Sequence, residues 1–199
     1  MKFLPPLTAI AALLLCVWLH GAGGKPVLAD LAAAAPGVIV DLRYATDDNF
    51  FRQRFYKEKR ALLRPSTAAK LAEAQKEFSE HGLHLKVWDA WRPLRVQREM
   101  WTAVPNPDYV ADPARGSRHN RGAAVDATLT DKSGRELEMP TAFDDFSPRA
   151  HADAPDVSDV AKKNRTLLRD VMERHGFRAL RTEWWHFDDA DWEQFDILE

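Results

Sequence analysis

The stretch Ser117-Arg-His-Asn-Arg-Gly-Ala-Ala-Val-Asp-Ala-Thr-Leu129 joins a polar loop to a run of small, β-prone residues that predicts a strand from Gly122 to Leu129. Asp126 lies within the apolar part of that run. An unpaired carboxylate buried there would cost several kcal/mol, so Asp126 must be paired or bound to a metal. His119 is seven residues away, too far to be a neighbour on one regular strand. A turn at Gly122 would bring His119 and Asp126 together, because glycine tolerates backbone angles that other residues avoid.

A second stretch, Glu183-Trp-Trp-His-Phe187, supplies another carboxylate and another histidine. On a regular strand Glu183 and His186 would face opposite ways, so the segment must bend or end there. A catalytic zinc site uses three His or carboxylate ligands and a nearby base. The inventory predicts one zinc ion per chain, with ligands His119, Asp126 and His186 and with Glu183 as the base. Any one of these histidines taken alone is more often a structural or surface residue.

A third stretch, Asp89-Ala-Trp-Arg-Pro93, follows a predicted strand and precedes a predicted helix. Loops in that position often carry functional side chains. Arg92 could donate hydrogen bonds to a developing oxyanion or bind a carboxylate. The alternative is a local ion pair between Arg92 and Asp89.

The composition limits the class of protein. The chain has 199 residues, which is enough for one domain, and a formal net charge of −2. A balance this close to neutral excludes a strongly basic nucleic-acid binder. The single cysteine excludes an intrachain disulfide and a cysteine-based zinc finger.

The first residues have the features of a secretory signal. Lys2 precedes an apolar run from Leu7 to Leu19, which is shorter than the roughly 20 residues of a membrane span. Residues 1–29 are therefore predicted to be a signal peptide and residues 30–199 the exported domain, periplasmic or secreted. Cleavage near Gly23, an uncleaved anchor and a lipoprotein modified at Cys16 are the alternatives. The exported domain would contain no cysteine, which leaves only His and carboxylate side chains to hold zinc.

The pattern along the rest of the chain favours an α+β class without βαβ regularity. We expect a single compact domain with a small mixed or antiparallel sheet, helices that flank it and the zinc site in a central cleft. Three helices are predicted: one begins at Pro65 with Ser66 as its cap, one runs from Pro93 to about Val104, and one follows a cap at Ser158. The other predicted strands are Leu83–Trp88 and Phe177–Phe187.

The pattern Ser-x-His-x-x-Gly-x-Ala-x-Asp, a later Glu-x-x-His and an upstream Trp-Arg-Pro resemble the zinc D-alanyl-D-alanine dipeptidases of the VanX type, peptidase family M15. The opening segment that starts at Asp41 is also similar, so the resemblance covers most of the domain. It implies the same three ligands, Glu183 as catalytic base and Arg92 as the group that stabilises the tetrahedral intermediate. It further implies substrate contacts from three residues: Ser117, Asp144 and Tyr44.

Two departures from the family pattern bear on these assignments. The chain has Met139-Pro140 where the family has Met-Gly, which leaves Asp145 as an alternative to Asp144. Well-known dipeptidases of this type act in the cytoplasm, whereas this chain is predicted to be exported.

The resemblance implies hydrolysis of the D-Ala-D-Ala dipeptide in cell-wall peptide metabolism. The expected partner is therefore a small peptide, with no nucleic acid and no stable membrane span in the mature form. An exported D,D-carboxypeptidase or L,D-endopeptidase with the same metal site is the main alternative. A non-catalytic cell-wall-binding module would need neither Glu183 nor Arg92, and a serine hydrolase at Ser117 would lack the usual Gly-x-Ser-x-Gly turn.

Overall fold

The computed structural model of the chain describes residues 28–199. Its helices and strands, in chain order, are β1 (Ala29–Asp30), α1 (Leu31–Ala34), β2 (Ile39–Val40), β3 (Leu62–Leu63), α2 (Pro65–Glu80), β4 (Leu83–Asp89), α3 (Leu94–Ala103), β5 (Ala124–Asp131), α4 (Asp159–Arg174), β6 (Phe177–Leu180) and β7 (Glu183–Asp189). Within this range no helix is long and apolar enough to cross a membrane. The predicted signal peptide falls almost entirely on residues 1–27, outside the described residues.

The main sheet has five strands in the order β2-β4-β5-β7-β6. β2 runs parallel to β4, and the other neighbouring strands are antiparallel. A separate two-stranded sheet pairs β1 with β3. The predicted α+β class and mixed sheet are confirmed.

The core lies between the sheet and the two long helices, α2 and α4, which pack on the sheet and on each other. Val125, Ala127 and Leu129 of β5 are fully buried, and so are Leu71 of α2 and Leu168 of α4. Burying a side chain of leucine size contributes about 1.5–3 kcal/mol. The alternate residues of β5 are also buried, so the strand that carries Asp126 is fixed from both faces.

The helix starts were predicted with mixed success. Ser158 does cap α4, because its Oγ accepts a hydrogen bond of 3.0 Å from the Ala161 N–H. The cap predicted at Ser66 was wrong: Arg64 is the N-cap of α2, and its side chain does not cap the helix. Pro65 already fixes the first helical turn, since its φ is helical and it has no N–H to satisfy. Pro93 likewise precedes α3 as its N-cap, with an extended ψ of 142°.

The predicted strand Phe177–Phe187 was also wrong, because the segment forms two strands, β6 and β7, joined by a turn at Arg181 and Thr182. No glycine, proline or asparagine marks that turn in the sequence. The strand predicted from Gly122 to Leu129 begins two residues later and ends at Asp131.

Candidate metal centre and substrate cleft

The three predicted ligands come from three different backbone elements. His119 opens a short 3₁₀ turn, His119–Arg121, and Gly122 follows it with a φ of +68°. A Cβ atom at Gly122 would lie 3.3 Å from the Arg64 backbone nitrogen, so both the conformation and the space require glycine. β5 then begins and carries Asp126, which lies directly opposite His186 of β7 in the antiparallel pair.

The donor atoms of these residues converge to a triangle. His119 Nε2 lies 3.2 Å from His186 Nδ1 and 3.4 Å from Asp126 Oδ1, and His186 Nδ1 lies 3.0 Å from Asp126 Oδ1. Zinc bonds to nitrogen and oxygen are near 2.0–2.2 Å, so tetrahedral ligand atoms lie about 3.3 Å apart. All three residues are buried. Both the donor chemistry and the spacing fit a divalent metal with N/O ligands.

The far nitrogen of each histidine is held by an acceptor. His119 Nδ1 lies 2.7 Å from the Ala90 carbonyl oxygen, which can only accept, so the proton is on Nδ1 and Nε2 is free to bind a metal. His186 Nε2 lies 2.9 Å from Asp188 Oδ1, so this carboxylate holds Nε2 and Nδ1 is the nitrogen that faces the other two donors. Such partners orient metal-binding histidines and raise their basicity. Asp188 was missed from the sequence, although its i+2 position on β7 puts it on the same strand face as His186.

The charges around the triangle favour a cation. Burial lowers the pKa of His186, but its hydrogen bonds with Asp126 and Asp188 outweigh burial and raise that pKa well above its ordinary value. Burial raises the pKa of Asp126, but His119 and His186 reverse that effect and hold it far below its ordinary value. Asp126 is therefore ionised, as a metal ligand must be.

Glu183 reaches the same site through an irregularity in β7. Ala179 pairs with Phe187 while the next residue, Leu180, pairs with Glu183, so the intervening residues of β7 bulge. The predicted bend between Glu183 and His186 is thus confirmed. Glu183 Oε2 lies 4.0 Å from His186 Nδ1, and burial raises the pKa of this carboxyl. A carboxylate beside the metal position with a raised pKa is suited to accept and return a proton.

Arg92 both pairs with Asp89 and faces the cleft. Its Nε and Nη2 donate to Asp89 Oδ2 at 3.1 and 2.7 Å, and its Nη1 donates to Gln97 Oε1 at 3.0 Å. The guanidinium carbon lies 5.2 Å from the centre of the Tyr44 ring. The ion pair and the oxyanion role of Arg92 are therefore compatible, because the pair with Asp89 holds the guanidinium group where it lines the cleft. Gln97 was missed from the sequence; it lies on the buried face of α3.

Tyr44 and Asp144 line a cleft of about 230 Å³ together with the three ligands, Glu183 and Arg92. The Tyr44 hydroxyl donates to Asp144 Oδ1 at 3.0 Å. Burial, followed by the charge of Asp126, raises the pKa of Asp144 to about 7. Asp145 instead accepts a hydrogen bond from the Ser147 N–H. The structure therefore places Asp144, and not its neighbour, in the cleft.

Ser117 lines the same cleft on the side of His119. Its Oγ is buried and has no hydrogen-bond partner within residues 28–199. A buried hydroxyl without a partner is costly, so this group is available to a ligand in the cleft. All eight site residues predicted from the sequence are thus gathered around one cleft.

The family model described as D-ala-D-ala dipeptidase, of the M15 peptidases, matches residues 25–196. The chain belongs to this family. Among curated proteins, the D-alanyl-D-alanine dipeptidase of Escherichia coli K12 is 40% identical over 161 residues, which cover 81% of this chain and 83% of that protein. The D-alanyl-D-alanine dipeptidase of Enterococcus faecalis is 31% identical, over 76% of this chain and 85% of that one.

The matches among solved structures are more distant in sequence. The vancomycin resistance D,D-pentapeptidase VanY in complex with Zn(II) aligns with a TM-score of 0.43 and 15% identity, over 67% of this chain and 75% of that one. The D,D-dipeptidase VanXYg in complex with a D-Ala-D-Ala phosphinate analogue aligns with a TM-score of 0.42 and 16% identity, over 83% and 67%.

Proposed function

We propose that this chain is a zinc-dependent dipeptidase that hydrolyses D-alanyl-D-alanine to two D-alanines. The observation that carries the proposal is the convergence of His119, Asp126 and His186 beside Glu183, in a chain that belongs to the D-Ala-D-Ala dipeptidase family. A cleft of about 230 Å³ is below the range typical of pockets for drug-sized ligands, which suits a dipeptide.

His119, Asp126 and His186 would hold the metal through Nε2, Oδ1 and Nδ1. When bound at three protein ligands, zinc supplies a water of lowered pKa and polarises a carbonyl oxygen. Asp188 and the Ala90 carbonyl keep both imidazole rings in the tautomer that binds.

Glu183 moves the proton. Its carboxylate accepts a proton as water attacks the peptide carbonyl carbon, and then delivers it to the leaving amine of the second D-alanine. The raised pKa of Glu183 brings the carboxyl closer to the pH at which both transfers are efficient.

Arg92 stabilises the charge that develops on the peptide oxygen. Its guanidinium is held by Asp89 and Gln97 before substrate arrives, so little reorganisation is needed during the reaction. A preorganised donor of this kind is worth about 3–4 kcal/mol in the transition state.

The two ends of the cleft suit the two charged ends of a free dipeptide. Asp144, aligned by Tyr44, would receive the ammonium group, and the Ser117 hydroxyl would donate to the carboxylate. A carboxylate at the amino end favours a free dipeptide, because a longer peptide would place an uncharged amide against Asp144 where the dipeptide has its ammonium group.

A substrate panel tests this function. Purified protein is incubated with D-Ala-D-Ala, L-Ala-D-Glu and a pentapeptide that ends in D-Ala-D-Ala, each with and without a chelator. We expect chelator-sensitive release of D-alanine from D-Ala-D-Ala alone. Preference for the pentapeptide would favour the carboxypeptidase, chelator-resistant hydrolysis would favour a serine hydrolase, and binding without turnover would favour a cell-wall-binding module.

We also propose that the protein is exported and acts on cell-wall peptides outside the cytoplasm. The basic start and the apolar run Leu7–Leu19 support this. Ala29 pairs with Leu63 in β1, so cleavage near Gly23 would keep that strand whole, whereas cleavage after Ala29 would not. Fractionation of cells, followed by mass determination of the mature amino terminus, tests both points. Full-length protein in the cytoplasm would contradict them.

A further inference from the structure

Three aromatic side chains from three separate loops meet beside the metal cleft. The ring centres of Phe50 and Phe146 lie 5.3 Å apart, those of Phe50 and Tyr109 5.8 Å, and those of Tyr109 and Phe146 4.9 Å. We call Phe50, Tyr109 and Phe146 the aromatic roof.

Two of the three roof residues are exposed although their rings are apolar. Phe50 is 41% and Tyr109 42% exposed, which makes them two of the three large apolar residues exposed in the part of the chain that the structure describes. A group of exposed aromatic side chains beside a cleft is typical of a surface that contacts a ligand. Phe146 also packs against the buried core, whereas Phe50 and Tyr109 are not part of it.

The roof lies where the metal cleft adjoins two larger spaces. Tyr109 and Phe146 line both the metal cleft and an adjoining cavity of about 450 Å³. Phe50 lines a third cavity, of about 420 Å³, which shares Asp144 with the metal cleft. Loss of one ring would therefore open the metal cleft toward space that a longer ligand could occupy.

The roof lies at the end of the cleft that we assign to the substrate's ammonium group. The Phe50 N–H lies 3.4 Å from Asp144 Oδ2, and Phe146 follows Asp144 by two residues. Any residue added before the first D-alanine would leave the metal cleft through this point and meet the rings.

We propose that the aromatic roof determines substrate length by excluding peptides that extend beyond the amino end of the dipeptide. This inference rests on the proposed dipeptidase function, and it assigns to Tyr109 and its two neighbours a role in specificity. The rings act by occupying space, so their size matters and the Tyr109 hydroxyl does not.

The test compares Tyr109→Ala and Phe146→Ala with wild type on D-Ala-D-Ala and on the tripeptide Gly-D-Ala-D-Ala. The ratio of kcat/KM for the tripeptide to that for the dipeptide should rise at least ten-fold in both variants. Tyr109→Phe should keep the wild-type ratio. Val160→Ala is the matched control, because Val160 is the third exposed large apolar residue and lies on α4.

A ratio within two-fold of wild type in both alanine variants, with zinc content and dipeptide turnover retained, would overturn the proposal. A binding measurement keeps this result separate from failure of the proposed function. If the zinc-loaded wild type hydrolyses neither peptide, the dipeptidase assignment fails, and tripeptide binding by calorimetry then decides the role of the roof. Tighter tripeptide binding in Tyr109→Ala than in wild type supports exclusion by the ring, and equal binding contradicts it.

Discussion

Replacement of Asp188 should weaken metal binding although Asp188 is not a ligand. Its Oδ1 accepts from His186 Nε2 at 2.9 Å, while Nδ1 of the same ring faces the other two donors. Removal of such a partner typically costs 10- to 100-fold in metal affinity, which corresponds to about 1.4–2.7 kcal/mol. Asp188→Asn keeps an acceptor oxygen but loses the charge, so we expect about ten-fold weaker zinc binding. Asp188→Ala loses the hydrogen bond as well, so its affinity should fall by about 100-fold.

The assay is equilibrium competition for zinc between the apoprotein and a fluorescent chelator at constant pH. Asp156→Asn is the matched control, since it removes the same charge from an exposed loop before α4 and should bind zinc as wild type does. Circular dichroism of each variant excludes unfolding as the cause of a weaker affinity. Equal zinc affinities for wild type and both Asp188 variants would refute the idea that this carboxylate orients His186.

Three other perturbations test the cleft. Arg92→Lys cannot reproduce the contacts with both Asp89 and Gln97, so kcat should fall by about 10²- to 10³-fold while the zinc content stays unchanged. An unchanged kcat would argue against the proposed role of Arg92. Tyr44→Phe removes a hydrogen bond to the Asp144 carboxylate that is worth about 1.5–3 kcal/mol. The value of kcat/KM for the dipeptide should therefore fall by at least ten-fold. A wild-type value would show that this hydrogen bond does not align Asp144. The pKa of Asp144 is raised to about 7, and only the ionised carboxylate attracts an ammonium group. The value of kcat/KM should therefore decline as pH falls below 7. If the same decline persists in Asp144→Asn, a group other than Asp144 causes it.

The metal site was predictable because its residues lie in two short segments whose local structure follows from composition. Gly122 marked the turn that joins His119 to the strand of Asp126, and the apolar neighbours of Asp126 indicated burial. The i, i+3 spacing of Glu183 and His186 required a bend, which the register of β6 and β7 provides.

The groups that hold the site in place were harder to predict because their roles depend on where their side chains point in the folded chain. Asp89 was predicted only as an ion-pair partner of Arg92. Gln97 and Asp188 are ordinary polar residues in the sequence, and their roles depend on how α3 and the sheet are packed. The aromatic roof joins residues far apart in the chain, so no local pattern indicates it. The cap at Ser66 was wrong because α2 already begins at Pro65. The turn at Arg181 was missed because no glycine, proline or asparagine marks it in the sequence.

The most direct test of the central claim is the Glu183→Gln variant, measured for zinc content and for hydrolysis of D-Ala-D-Ala. Glutamine keeps the size of the side chain but cannot accept the proton of the attacking water. The account predicts one zinc per chain, wild-type stability and a loss of turnover of at least 10²-fold, in line with the usual contribution of a general base. A variant that retains zinc and hydrolyses the dipeptide at the wild-type rate would contradict it.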